Sequence, residues 1–279
     1  YACTGPAAED IHRNWGVQRN QLYFLMHSVE DILEFTSRFE RGVAPTLDEV
    51  RQFLSHAHSA GPNPSLVEAC SQYAGVGYLS LEQGRLLEQM GVTDAFHVPQ
   101  YVDTERFRPS DQSHEGPLRV GVAISTTPHA TRKGIPLLAE IVSLIGGRDD
   151  MVFDTRAIRG LADSPGLPYD AMPDYFASID VLLCTSFSEG GPLPPLQAAA
   201  CGVPVISTRC GHMPEFVIQG VTGFFAEPNA NSFMVRLIQL ASDRTRLRVM
   251  AALAREHVVA NWSIGDRGTH WLNMLDGLR

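Results

Sequence analysis

The sequence predicts an α/β protein whose second half is a doubly wound domain, and three observations carry that prediction. Short apolar runs recur between stretches of helical spacing, the order that builds parallel β-α-β units. Glycine and proline punctuate the joints between these runs, where a strand must turn into a helix. The 279 residues, 44% hydrophobic and 19% charged, suffice to bury a sizeable core and to form two lobes.

In the second half, strands are expected at Leu118 to Ile124, Met151 to Arg156, Asp180 to Thr185, Pro204 to Thr208 and Gly223 to Ala226, with helices between them. Pro136 near the start of Gly134 to Ile145 marks one of those helices. Leu137, Leu138, Ile141 and Val142 give that helix its core face. This domain runs from about residue 116 to 255, and residues 256–279 form closing helices. Ahead of it, Pro109 to Pro117 (PSDQSHEGP) is polar and turn-rich, as a linker would be. In residues 1–115 strands are expected at Gln21 to His27, Gly75 to Leu79 and Ala95 to Val98. Helices there are signalled by capping boxes, Ser28 with Asp31, Thr46 with Glu49 and Ser65 with Glu68. Three strands make a thin sheet, and the chain begins with Tyr1 instead of Met, so this first lobe is expected to be incomplete.

Charge and cysteine usage narrow the function. The net charge of -9, from 22 basic and 31 acidic residues, argues against a broad nucleic-acid footprint, and an anionic ligand would need a local basic site. Five cysteines, Cys3, Cys70, Cys184, Cys201 and Cys210, show no CxxC spacing and suggest reduced thiols in a cytoplasmic protein. No apolar run approaches the ~20 residues that cross a bilayer, and no signal peptide is visible. Arg244, Arg246 and Arg248 cluster on a predicted helix, as a solvated face or as a peripheral contact with an acidic membrane.

The segment Ser186 to Gly202, SFSEGGPLPPLQAAACG, places a carboxylate, a glycine pair and three prolines between an apolar strand and a short helix. Pro194 suits the first helical turn, Gly202 closes the helix, and Pro204-Val205-Ile206 opens the next strand. This is either an ordinary strand-to-helix turn or a phosphate cradle at the C-terminal edge of a parallel sheet. A second observation favours the cradle. Of the 22 basic residues 21 are arginine, and the only lysine is Lys133, where a compact point charge suits phosphate oxygens. Lys133 is expected in a strand's exit loop beside another helix N-terminus.

The ordered segments YLSLEQGRLLEQMGV, HVPQYVDTERFRPS, RKGIPLL, FASIDVLLCTSFSEGGPLPPLQAAACGVPVIST, GHMPEFV and GVTGFFAEP resemble the retaining glycosyltransferases of family 4, the glycosyl transferases group 1 type. The resemblance covers roughly Leu79 to the C-terminus. It implies a GT-B fold of two Rossmann-like lobes, with a nucleotide-diphosphate sugar held mainly by the C-terminal lobe and no required metal or cofactor. It also implies a front-face mechanism, in which the leaving phosphate helps deprotonate the acceptor hydroxyl. REHVVANWSIGDRGTHWLNML resembles the closing helices that cross back to the first lobe in such enzymes.

The resemblance carries roles onto single residues. Lys133 matches the phosphate lysine. The arginine expected a few residues earlier is replaced by Pro128, leaving Arg132 or Arg156 as the second charge. Glu189 matches the first acid of a pair separated by seven residues and contacts the donor sugar, with Gly190, Gly191, Leu193 and Pro194 completing the cradle. The second acid is replaced by Gln197, where family members bind the ribose diol. Gln197 is simply tolerated, marks a weakened enzyme, or suits a deoxyribose donor such as a dTDP-sugar beside UDP- and GDP-sugars. His27 ends YFLMH, where family members carry a histidine facing the donor sugar. His212 has either a ligand or a loop role, and the pair His56 and His58 lacks a third zinc ligand. The implied reaction moves a hexose or deoxyhexose to a glycan, lipid-linked or small-molecule acceptor. A nucleotide-sugar 2-epimerase and a catalytically silent binding module are the alternatives.

Overall fold

The computed structural model describes residues 22–25, 64–71, 75–110, 115–126, 132–160 and 165–277. They divide into two compact units, one from residues 1–100 with 189–191 and 267–279, the other from 101–188 with 192–266. The division thus falls at Gln100 and Tyr101, ahead of the polar stretch expected to be the linker.

The first unit holds a parallel sheet in the order β1 (Leu22–Leu25), β2 (Gly75–Tyr78) and β3 (Ala95–His97), with Leu22 opposite Gly75 and Val76 opposite Ala95. Helix α1 (Pro64–Ser71) precedes β2, and α2 (Leu81–Gln89) links β2 to β3. The expected cap at Ser65 is corrected: α1 opens at Pro64, where the missing N–H is no loss, so Ser65 lies inside the first turn. The capping box belongs to α2. Ser80 accepts from the Gln83 amide at 3.3 Å, and Gln83 Oε1 accepts from the amides of Ser80 at 3.3 Å and Leu79 at 2.8 Å. Leu86, Leu87, Met90 and Val92 close the core of this unit with Cys70 and Val76.

The second unit is built on a five-stranded parallel sheet, ordered β10-β9-β8-β4-β6. Its strands are β4 (Leu118–Val122), β6 (Met151–Asp154), β8 (Val181–Cys184), β9 (Val205–Ser207) and β10 (Gly223–Phe225). The expected strand through Ile124 is broken at Ala123. Ile124–Ser125 (β5) leaves the main sheet to pair in parallel with Ile158–Arg159 (β7). Gly121 permits this region to pack closely, since a Cβ there would lie 2.6 Å from the Tyr175 hydroxyl. That hydroxyl accepts from Val122 N and donates to Val122 O, both at 2.9 Å.

Side chains alternate between two cores, as the period of two along a strand requires. Val181 and Leu183 join one core while Leu182 and Cys184 join the other, and Phe224 and Phe225 divide in the same way. Helices α3 (Ile135–Gly146) and α7 (Ala230–Ser242) cover the first core, and α4 (Met172–Ala177) with α5 (Leu193–Ala200) covers the second. This two-sided cover explains why the strands are apolar on both faces. The short α6 (Met213–Phe216) follows β9. Helix α8 (Arg244–Asn261) contributes Leu247 and Met250 to one core, Ala254 and Val258 to the other. Asn229 caps α7 by accepting from the Ser232 amide, and Asp243 caps α8 by accepting from the Arg246 amide, each at 2.9 Å.

The last helix, α9 (Ile264–Gly277), follows Trp262 and Ser263. From Arg267 onward its residues belong to the first unit, where Trp271 Nε1 donates to Pro99 O at 3.1 Å. The closing segment expected from residue 256 is therefore shorter, because α8 stays in the second unit to its end. Among the described residues no helix is long and apolar enough to cross a membrane.

Candidate functional site

In a parallel sheet with helices on both faces, ligands gather where the strands end and the following helices begin. In the second unit that edge carries the connections after β5, β8 and β9, and one network ties them together. Thr185 Oγ1 donates to Lys133 O at 3.1 Å, and the Phe187 amide donates to Arg132 O at 2.8 Å. Thr208 donates through its hydroxyl to Ser186 O and through its amide, at 3.1 Å, to Cys184 O.

Gly134 makes the turn possible. It has φ 67° and ψ 32°, a left-handed geometry that favours glycine, and a Cβ there would lie 2.1 Å from Thr185 O. Lys133 is therefore presented one residue before this cap, with Ile135 and Pro136 opening α3. The lysine is half-buried.

Arg132 has a different task from its neighbour. Its residue is only 6% exposed and its Nη1 donates to Ser188 O at 2.8 Å. The guanidinium thus holds the backbone just ahead of Glu189. Arg156, the other candidate for a second charge, is bonded to Asp154 through Nε at 2.9 Å and to Ser178 Oγ through Nη2 at 2.6 Å. Burial opposes the charged form of Asp154, yet the bonds from Arg156 hold its carboxyl below the usual range. Arg156 is thus occupied with structure.

Glu189, Gly190 and Gly191 group with the first unit, whereas Leu193, Pro194 and Gln197 lie on α5 in the second. The start of α5 corrects one expectation. Pro192 is the N-cap, and Pro194 and Pro195 fill the second and third helical positions. A helix start normally offers several unpaired N–H groups, but here Leu193 supplies the one backbone donor of that turn. The positive end of the helix remains, so side-chain charge must do more of any anion binding.

Gln197 is 4% exposed, and its side-chain amide makes no hydrogen bond among the described residues. A largely buried amide without a protein partner is costly, and a ligand hydroxyl is the kind of group that would satisfy it. His212, by contrast, is fully buried, with its ring 5.1 Å from Trp262 and 6.3 Å from Phe216. It packs within the core and has no access to a bound ligand. His27, His56 and His58 lie outside the described residues.

One feature carries no signal in the sequence. Arg255 on α8 donates to three carbonyls, Phe107 O at 2.7 Å, Ala200 O at 2.8 Å and Thr104 O at 3.0 Å. It thereby fixes the C-terminal end of α5. Burial pushes the Cys201 thiol in that region up to about 12, with Arg255 opposing, so this is an inert packed cysteine. Among the described residues no group of three or more His, Cys, Asp or Glu could hold a metal ion.

The comparisons agree with this geometry. The structure resembles that of Anabaena HepE in complex with UDP-glucose, with a TM-score of 0.66 at 16% identity over 97% of this chain and 74% of that one. It also resembles sucrose-phosphate synthase from Thermosynechococcus elongatus, with a TM-score of 0.63 at 17% identity over 76% and 60% of the two chains. These likenesses define the class: the fold is GT-B. Residues 164–257 match the family described as Glycosyl transferases group 1, and the chain belongs to that family.

Two curated relatives are GDP-mannose-dependent mannosyltransferases. One, the alpha-(1-6)-phosphatidylinositol monomannoside mannosyltransferase of Mycolicibacterium smegmatis, is 26% identical over 216 residues, 66% of this chain and 56% of that protein. The other, from Corynebacterium glutamicum and acting on the monoacylated form, is 30% identical over 211 residues, 64% and 55% of the two. The chain spans about half the length of these relatives.

Proposed function

We propose that the protein is a glycosyltransferase that moves a hexose or deoxyhexose from a nucleotide-diphosphate donor to an acceptor hydroxyl, with retention at the anomeric carbon and without a metal. The observation that carries this reading is the chain's single lysine, fixed at the ligand-binding edge of the sheet by the left-handed turn of Gly134. The family and the GDP-mannose-dependent relatives support it.

In this mechanism the bond between the anomeric carbon and the diphosphate oxygen breaks while the acceptor oxygen bonds to the same face. The acceptor's proton passes to the leaving diphosphate. Negative charge grows on that leaving group, so Lys133 and the positive end of α5 stabilise the transition state more than the ground state. Arg132 positions the backbone before Glu189, and Glu189 with Gly190 and Gly191 binds the sugar. Leu193 and Pro194 bound the nucleotide side, Gln197 takes a sugar hydroxyl of the nucleoside, and His27 contacts the donor sugar. UDP-, GDP- and dTDP-sugars are the donor candidates. GDP-mannose is supported by the relatives' names, and a deoxyribose by the uncharged acceptor at Gln197. The acceptor is a glycan, a lipid-linked sugar or a small molecule. Buried free thiols at Cys70, Cys184, Cys201 and Cys210 favour a cytoplasmic setting.

The test is a thermal-shift screen of nucleotides and nucleotide sugars, followed by donor turnover. A matching nucleotide raises the apparent stability by mass action. Lys133→Ala and Glu189→Ala are expected to lower turnover by about 10²–10³ while the proteins stay folded. Stabilisation by no nucleotide, or full turnover without Lys133, would reject the proposal.

A further inference from the structure

We propose that the second unit carries a docking surface for anionic lipid headgroups, centred on the edge strand β10. Phe224 of that strand has Arg236 over its ring at 5.1 Å and Arg246 at 5.3 Å. Two guanidinium groups therefore share one ring. Arg236 Nη1 donates to Gln239 Oε1 at 3.2 Å, and neither arginine pairs with a carboxylate among the described residues. The nearest acid in sequence to Arg246, Asp243, accepts the Arg246 backbone amide as the cap of α8. Like charges held this close repel, and a shared counter-anion relieves them. The chain as a whole carries -9, so the patch is opposite in sign to its surroundings.

Outward aliphatic side chains surround these cations. Ile218 is 45% exposed and Val221 41%, on a turn closed by bonds from Val221 N and Thr222 N to Ile218 O at 2.9 and 3.0 Å. Gly220 brings that turn onto Arg246, since a Cβ built there would lie 3.6 Å from its Nη2. Val235, 52% exposed, precedes Arg236 on α7, and Val249, 55% exposed, follows Arg246 by one turn of α8. Aliphatic groups on an ordered frame can enter the boundary between headgroups and acyl chains, while arginine takes phosphate in a bidentate way. A second copy of this chain is a poor occupant, because a two-fold contact would set these arginines against themselves.

The test is co-sedimentation of the full chain with vesicles of phosphatidylcholine alone and of phosphatidylcholine mixed with phosphatidylglycerol. Binding is expected on the anionic vesicles only, weakened by salt, and reduced about fivefold by each of Arg236→Gln and Arg246→Gln. Val221→Ser with Val249→Ser, both at exposed positions that leave the core intact, is expected to weaken it further. Nucleotide binding should be unchanged in all four substitutions, so this surface and the proposed transfer reaction fail separately. Equal binding to neutral vesicles, no binding to either, or full binding by the double arginine variant would overturn the proposal. So would a dimer that Val249→Ser dissociates.

Discussion

At the scale of single residues, Gln197 concentrates what this chain does differently. Its amide is largely buried without a protein partner, and glutamine offers one neutral acceptor where the family pattern places a carboxylate. Restoring the charge by Gln197→Glu is expected to tighten a ribonucleotide by about fivefold to tenfold, because a charged acceptor makes the stronger bond. Calorimetric titration of UDP, GDP and dTDP against both proteins checks this, and a ribonucleotide affinity left unchanged would remove Gln197 from the nucleoside site. The sequence makes Lys133 and Gln197 visible because each breaks a pattern, as the sole lysine and as a replaced acid. It offers no such view of Arg132. A guanidinium beside a candidate phosphate lysine suggests a ligand contact, and only the fold reveals that its Nη1 is bonded to the Ser188 carbonyl.

At the scale of elements, α5 is held at both ends by side chains from elsewhere in the second unit. Its entry follows the backbone that Arg132 fixes, and its exit at Ala200 is tied by Arg255. Arg255→Ala strands three carbonyls and is expected to cost about 2–3 kcal/mol in urea unfolding. It should also weaken nucleotide binding through the displaced helix. Arg255→Lys, with fewer donors in a different geometry, should recover only part of either. Strands of the second unit are legible in the sequence because short apolar runs between glycine and proline joints are too brief for buried helices. The break at Ala123 is not legible, since an unbroken apolar run hides the point at which pairing passes from β4 to β5. Nor is the Ser80 capping box, because its glutamine lies within a polar stretch that offers several alternative starts.

At the scale of the whole molecule, the two units differ in how they meet acid. In the first, His97 stacks on Tyr78 with ring centroids 5.2 Å apart and meets His270 edge-on at 5.6 Å. Burial, followed by the positive charges of His270 and Arg267, lowers its pKa from 6.5 to about 4, against a backbone bond to Leu79 that favours the charged form. The unfolded chain therefore binds a proton in this interval that the folded unit refuses. Stability is present in full above about pH 6.5 and is lost as pH falls towards 4. Urea unfolding of the first unit at pH 7 and pH 5 checks this, and His97→Phe should flatten the dependence. An unaltered slope in that variant would assign the acid sensitivity to another group. The boundary between the units is hidden in the sequence because the most polar stretch, before residue 116, is not where the packing divides. Residues 101–110 belong to the second unit through Phe107, buried against Tyr169 and Phe176.

The prolines that open α5 have a spectroscopic consequence. In an amide-detected NMR spectrum of labelled protein, positions 192, 194 and 195 give no resonance, and Leu193 alone reports from the first turn of that helix. A titrated nucleotide should move that one peak, together with those of Gly190 and Gly191. Three assignments would then suffice to follow occupancy at this end of the helix.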